Sequence, residues 1–251
     1  GFKTRHSILT DGQSIVEVAS TSKEDIPANP GVTPPSTTPR ATPPNLDEAV
    51  QWLMAAQRTD GSWKDIAQTS ERDTALTTLV LRNFSPAQLN YQAGLLWLGT
   101  VASGNLDYLA RKIEAFAGAG QDTGPLVQDL LSRQNADGGW GIEEHYASGN
   151  ADTAQALNAL AAAGYGDAGV LSKAIGYLKA NQNTDGGWGS EDKGGMVQET
   201  ANVLSVFNKY RATYQLDDAM ARGTTWLIGR QNSDGGFGNS AESIGRKFEA
   251  N

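Results

Sequence analysis

One seven-residue pattern occurs four times in the 251-residue chain and constrains its fold more than any other feature. The copies are Gln57-Arg58-Thr59-Asp60-Gly61-Ser62-Trp63, Gln134-Asn135-Ala136-Asp137-Gly138-Gly139-Trp140, Gln182-Asn183-Thr184-Asp185-Gly186-Gly187-Trp188 and Gln231-Asn232-Ser233-Asp234-Gly235-Gly236-Phe237. Their first residues are 77, 48 and 49 positions apart. Each copy follows an amphipathic helical stretch in a shared register. Four positions before the Gln stand Leu53, Leu130, Leu178 and Leu227, and five before it Trp52, Asp129, Tyr177 and Trp226. After the first three copies a second helix opens on an acid-Thr-Ala triplet: Asp73-Thr74-Ala75, Asp152-Thr153-Ala154 and Glu199-Thr200-Ala201. Apolar residues then recur at helical spacing, as in Leu76, Leu79 and Val80, Leu157 and Leu160, or Val203, Leu204 and Phe207. Such a period belongs to stacked supersecondary units, none of which buries its apolar face alone.

The 77-residue gap leaves room for a hairpin without the motif. Its two helices are expected over Pro86 to Ala102 and Leu106 to Ala117, with Pro86 in a first turn and Gly104 and Gly118 at ends. The spacing predicts about ten helices, paired as five hairpins, over residues 45–251. That segment is expected to be all-α.

Asp-Gly-Gly after a helix supplies residues that accept positive φ, so the chain can reverse within a few residues. The ring of Trp63, Trp140, Trp188 or Phe237 then has an apolar surface to bury. Gln57, Gln134, Gln182 and Gln231 are expected to stack on that ring and to bond an orphan carbonyl at the helix end. These residues read as structural staples. The acids of the triplets read as first-turn caps that satisfy unpaired N–H groups and complement the helix dipole. The alternative is that these helix starts converge on a cavity mouth. A calcium-loop reading of Asn181, Asn183, Asp185, Gly186 and Asp192 is spoiled by Trp188, and Arg133 and Gly229 stand at the first ligand position of other copies.

The remaining composition narrows the function. A net charge of −8 leaves no basic stripe for nucleic acid. The absence of Cys excludes disulfides, thiolate catalysis and thiolate metal sites. Two His, His6 and His145, cannot make a His-rich metal centre, and no metal or cofactor is expected. Mean hydropathy is −0.42 and apolar runs are short, so no transmembrane segment is expected. Residues 1–21 read as a β-hairpin about Asp11-Gly12. Residues 22–44 form a Pro/Thr-rich linker that favours extended polyproline II. Such spacers separate modules of exported proteins, so an extracellular or cell-surface location is expected.

The Gln-x-x-Asp-Gly-Gly-Trp loops followed by acid-Thr-Ala helices resemble the repeats of squalene and oxidosqualene cyclases, whose superfamily includes the protein prenyltransferase β subunits. The resemblance spans residues 45–251 and implies an α/α toroid with inner helices around a cavity. Closed rings of this kind take about six hairpins, so five imply an open or incomplete ring. The family's class II enzymes protonate an alkene with the middle Asp of Asp-x-Asp-Asp-Thr-Ala. Here the stretch is Gly149-Asn150-Ala151-Asp152-Thr153-Ala154, with Ala151 in the donor's place. Arg72 and Gln198 hold that place before Asp73 and Glu199. None of these three delivers such a proton. The prenyltransferase zinc site needs Cys. Asp217-Asp218-Ala219-Met220-Ala221 breaks the Asp-Asp-x-x-Asp run of class I terpene synthases at its last position.

The expected function is therefore a non-catalytic cyclase-like toroid module of a multi-domain exported protein, a structural unit or a binder of a protein, glycan or small apolar ligand. The rival is a divergent terpene-cyclase-like or carbohydrate-active enzyme working through Asp73, Asp152 or Glu199. Candidate ligand-binding residues at the cavity mouth are Asp73, His145, Tyr146, Asp152 and Glu199. An aromatic interior would favour the cyclase, and a polar one the binding module.

Overall fold

The computed structural model describes residues 2–10, 15–23, 45–84, 88–190, 194–232 and 236–238. β1 (Phe2–Thr10) pairs antiparallel with β2 (Ile15–Lys23), Phe2 facing Lys23 and Thr10 facing Ile15. The hairpin thus runs two residues past the expected boundary. The expected Asp11-Gly12 turn and nearly all of the Pro/Thr-rich linker lie outside the described residues.

From Leu46 onward the chain is helical: α1 (Leu46–Ala55), α2 (Ser70–Phe84), α3 (Leu89–Thr100), α4 (Leu106–Gly118), α5 (Gly124–Ser132), α6 (Asn150–Ala162), α7 (Ala168–Ala180), α8 (Val197–Tyr210) and α9 (Asp217–Ile228). Nine α-helices are present among the described residues, against about ten expected. The missing one would follow Phe237, outside those residues. Pro86 lies outside them too, and α3 begins at Leu89. Side-chain caps start α1, α4 and α7, where Asn45, Asn105 and Asp167 accept first-turn N–H groups.

The helices lie in two layers. α2, α4, α6 and α8 pack on one another in succession as the inner row, while α3, α5, α7 and α9 pack each against an inner neighbour. This is the hairpin stacking that the repeat predicts. Small side chains let the inner row approach closely: Ala154, Ala156 and Ala159 of α6 are fully buried. One apolar core surrounds Trp140 and Trp188 between α4 and α9, and a smaller one surrounds Trp63 among α1, α2 and α3.

The motif loops hold the layers together by bonds that repeat from copy to copy. The indole N–H of Trp63, Trp140 and Trp188 donates to the carbonyl of Leu53, Leu130 and Leu178, at 2.6, 2.8 and 2.7 Å, in the last turn of the preceding helix. The ring therefore caps the helix end, the task expected of the glutamine. The glutamines act elsewhere. Nε2 of Gln57, Gln134 and Gln182 donates to the loop carbonyls of Gly61, Gly138 and Gly186, each at 2.8 Å. It also donates to Asn90, Val170 and Ala219, carbonyls in the first turn of the next outer helix. Gln231 of the fourth copy precedes a loop whose residues 233–235 are outside the described set; Gln231 forms an isolated bridge with Phe237.

The loop glycines explain themselves by space as well as by φ. Gly61, Gly138 and Gly186 have φ of +93°, +91° and +96°, and a Cβ there would lie 2.6, 2.6 and 2.9 Å from the carbonyl oxygens of Ala93, Lys173 and Arg222. The preceding aspartates brace the turn: Asp137 accepts from Gly139 N–H and Asp185 from Gly187 N–H, both at 2.9 Å. After the third loop, short strands β3 (Gly189–Ser190) and β4 (Gly194–Gly195) pair antiparallel, and Asp185 also accepts from Gly195 N–H at 3.0 Å. That carboxylate is thus already engaged, and no group of three or more His, Cys, Asp or Glu able to hold a metal ion occurs among the described residues.

Candidate functional site

The four inner helices pack side by side, and each first turn carries an acid: Asp73 on α2, Asp107 on α4, Asp152 on α6 and Glu199 on α8. They are electrostatic neighbours. The charges of Asp107 and Glu199 both act on Asp152, and those of Asp73 and Asp107 both act on Tyr108.

Each acid has its own surroundings. Asp73 is tied down, accepting from Asp65 N–H at 3.0 Å and the Thr69 hydroxyl at 2.5 Å, with Arg72 at 3.3 Å. Asp107 pairs with Arg111 at 2.7 Å, one helical turn on. Behind them Glu71, itself buried, accepts the Ser103 hydroxyl, and Lys112 donates to the Val101 carbonyl at 2.6 Å. Asp152 is different. Burial, with the like charges of Asp107 and Glu199 beside it, pushes its carboxyl up to about 6. Burial raises Glu199 as well, opposed by a hydrogen bond with Asn150. Asn150 is buried at the head of α6; its Nδ2 donates to the Gly189 carbonyl at 3.3 Å, and its Oδ1 has no partner.

These facts revise the capping role expected of the triplet acids. The N-cap residues of α6 and α8, Gly149 and Met196, make no side-chain cap. Asp73 braces the loop before α2 rather than the helix itself. A carboxylate engaged as a cap is held below its usual range, whereas Asp152 and Glu199 are raised. The threonine beside each acid does the structural work. Thr74, Thr153 and Thr200 are fully buried, and each hydroxyl accepts from the backbone N–H of the motif tryptophan, at 2.9, 3.0 and 2.9 Å.

His145 and Tyr146 sit outside this group, on a turn closed by Tyr146 N–H to the Glu143 carbonyl at 3.2 Å. The His145 side chain is 88% exposed with φ of +70°, and its nearest ionic neighbour is Glu144 at 3.6 Å. Tyr146 is also exposed. Asp107 and Asn150 stand beside Asp152 and Glu199 and were not singled out from the sequence. Asp107 lies in the hairpin that lacks the triplet, so its only signal was an acid two residues after a capping Asn.

Along the inner row, polar groups cross from helix to helix. Gln155 on α6 donates to Glu114 on α4 at 3.4 Å in a half-buried contact, and Lys209 on α8 donates to Asn158 on α6 at 2.7 Å at the exposed surface. Trp63, Trp140 and Trp188 are packed in the cores between layers.

Comparisons with known proteins agree with this architecture. Residues 150–248 match the model of the family described as squalene-hopene cyclase C-terminal domain. A comparison with curated proteins finds no match. Among solved structures, a protein from Actinoplanes is similar at a TM-score of 0.63 with 16% identity, over 76% of this chain and 66% of that one. The ent-copalyl diphosphate synthase of Streptomyces platensis gives 0.57 and 23% identity, over 72% of this chain and 39% of that one. The type II terpene cyclase MstE of Scytonema, as a variant in complex with merosterolic acid A, gives 0.57 and 13% identity, over 80% and 68%. The chain thus spans less than two thirds of the length of the first two. No described helix is long and apolar enough to cross a membrane. In fold, then, the helical part of this chain is a squalene cyclase-like α/α toroid of the kind seen in the type II terpene cyclases.

Proposed function

We propose that the chain is a non-catalytic cyclase-like module of an exported protein, and that the acid-lined mouth of its inner helices binds a ligand or partner. The observation that carries this reading is Ala151, one residue before Asp152 and in the place where a cyclase of this fold keeps its proton donor. A methyl group has no proton to deliver. Arg72 and Gln198, in the same place on α2 and α8, offer no substitute. The half-buried polar crossing Gln155–Glu114 supports the same reading, because carbocations are stabilised by aromatic faces.

One observation favours an enzyme instead. A carboxyl at about 6 is suited to general acid–base work near neutral pH. It is far too weak an acid to protonate an alkene, so this second reading is of hydrolytic or eliminative chemistry, as on a carbohydrate.

Incubation with squalene, geranylgeranyl diphosphate and acidic polysaccharides should yield no product by mass spectrometry. A product whose formation is lost in Asp152→Asn would overturn the non-catalytic reading. The binding half is read by NMR of the Asp152 and Glu199 carboxyls during titration with a chito-oligosaccharide and with geranylgeraniol. A shift of either resonance supports the mouth as a ligand site, and no shift with either probe counts against it.

A further inference from the structure

The inner helices share a buried register, and it separates the place where the chain provides its own cation from the place where it provides none. Glu71 on α2, Leu106 on α4, Asn150 on α6 and Val197 on α8 open that register. Six residues further on stand Thr77, Lys112, Ala156 and Val203, all buried as well. On α4 this second place carries an ammonium group. Lys112 is 4% exposed, and its Nζ donates to the Val101 carbonyl at 2.6 Å. Burial lowers Lys112, and the carboxylate of Glu71, across on α2, opposes that shift. Between α2 and α4 a buried acid therefore meets a cation from the chain itself.

Between α6 and α8 the same two places are filled differently. Asn150 stands where Glu71 stands, and Val203, fully buried, where Lys112 stands. Asn150 is 9% exposed and turned towards α8. Its Nδ2 donates to the Gly189 carbonyl at 3.3 Å and its amide is hydrogen-bonded to Glu199, while its buried Oδ1 has no partner. Beside it are the half-buried carboxyls of Asp152 and Glu199, near enough for one charge to act on the other.

The remaining acids of the row have cations: Asp73 has Arg72 at 3.3 Å, and Asp107 has Arg111 at 2.7 Å. Asp152 and Glu199 make no ion pair among the described residues, and both charges acting on Asp152 are negative. One turn after each stands an apolar residue, Ala156 or Val203, where Asp107 has its arginine. A buried oxygen without a donor is costly, and so are two like charges in partial burial. One bound cation with N–H groups relieves both.

We infer that Asn150, Asp152 and Glu199 form a binding site for the primary ammonium group of a small organic amine. Such a group has three N–H donors, and the site has three acceptors: Asn150 Oδ1 and a carboxylate oxygen from each acid. A metal ion fits less well. Hard divalent cations take six or so oxygen ligands, and no group of three or more His, Cys, Asp or Glu able to hold a metal occurs among the described residues. This inference rests on the reading of these helix starts as a ligand site and names the charged group of the ligand.

NMR titration of the Asp152 and Glu199 carboxyls of the whole chain with n-butylammonium, above neutral pH, tests it. Both resonances should shift with one affinity. Tetramethylammonium carries the same charge without an N–H donor and should bind about tenfold more weakly or worse. Asp152→Asn and Glu199→Gln, each read at the carboxyl that remains, should weaken n-butylammonium by a similar factor. Asn150→Leu should weaken it too, in a variant shown by circular dichroism to be folded. Asp217→Asn, which removes an exposed acid paired with Arg211, should leave it unchanged. Equal affinity for tetramethylammonium, displacement by equimolar Ca²⁺, or undiminished binding in Asp152→Asn or Glu199→Gln would overturn the inference. If the chito-oligosaccharide or geranylgeraniol shifts these carboxyls and n-butylammonium does not, the ligand site stands and the ammonium assignment falls. If none of the three does, both fall.

Discussion

The hydroxyl of Thr200 accepts the backbone N–H of Trp188 at 2.9 Å and donates back to the Trp188 carbonyl at 3.3 Å. One fully buried side chain at the start of an inner helix thereby holds both backbone polar groups of the loop residue whose indole caps the outer one. Thr74 makes the same double bond to Trp63, at 2.9 and 3.1 Å.

Thr200→Val keeps the shape and removes both bonds, leaving a buried N–H without a partner. It should cost about 1–3 kcal/mol. The check is a lower denaturant midpoint with an unchanged m-value. Thr200→Ser, which retains the hydroxyl, should cost clearly less.

Trp188 is fully buried and meets Phe207 edge-on at 5.5 Å. Trp188→Ala should cost about 3–5 kcal/mol through the lost ring and the cavity it leaves. Trp188→Phe keeps much of the packing but gives up the indole bond to Leu178, so it should cost roughly 1 kcal/mol for that bond plus the residual void. Near-wild-type melting of the alanine variant would show that the loops are not staples.

Gly186 and Gly164 separate backbone strain from crowding. Both have positive φ, +96° and +68°, but a Cβ at Gly186 would meet the Arg222 carbonyl at 2.9 Å while one at Gly164 meets nothing within 4 Å. Gly164→Ala should cost about 1–2 kcal/mol for the left-handed backbone alone. Gly186→Ala should cost more, since α9 must also move off the loop. Thermal melts of the two variants measure the difference.

Asp152 sets a pH dependence of definite sign. Its carboxyl is raised in the folded state from 3.8 to about 6, so between those values the native chain binds the extra proton. This group's contribution is therefore fully present in acid and is lost as pH rises through about 6. Asp185 acts oppositely: burial opposes its charge, but the N–H groups of Gly195 and Gly187 and the Trp226 indole outweigh that and lower it. Its stabilisation is lost as pH falls through its depressed value. Asp152→Asn isolates the first effect. It should be more stable than wild type at neutral pH, by about 1 kcal/mol once water screening of this half-buried group is allowed for, with the advantage vanishing in acid. Urea unfolding of both proteins across this range is the measurement.

Much of the fold was legible because helical repeats write their packing locally. The spacing of Leu53, Leu130 and Leu178 before each glutamine marks the outer helices, and the triplets mark where inner helices start. The positive φ of Gly61, Gly138 and Gly186 follows from local chemistry as well. Partners were harder to assign. Gln182 reaches Ala219, 37 residues away, and Thr200 reaches back to Trp188, because stacking places one hairpin's loop against the next hairpin's helix. Local reasoning looked for the glutamine's acceptor at its own helix end, where the indole had taken that place.

By itself, the order of residues determined the helical hairpins and their turns, since each depends on neighbours in the chain. Only the tertiary structure decided which acids stand together and which of them are raised. Asp152 and Asp73 occupy matching places in the sequence, yet one is tied to Asp65 and Thr69 while the other faces Asp107 and Glu199 with no cap to hold it. The exposure of Trp52 beside the burial of Trp226 has the same origin: a residue's solvent and its neighbouring charges come from other elements, and these are set only when the layers close.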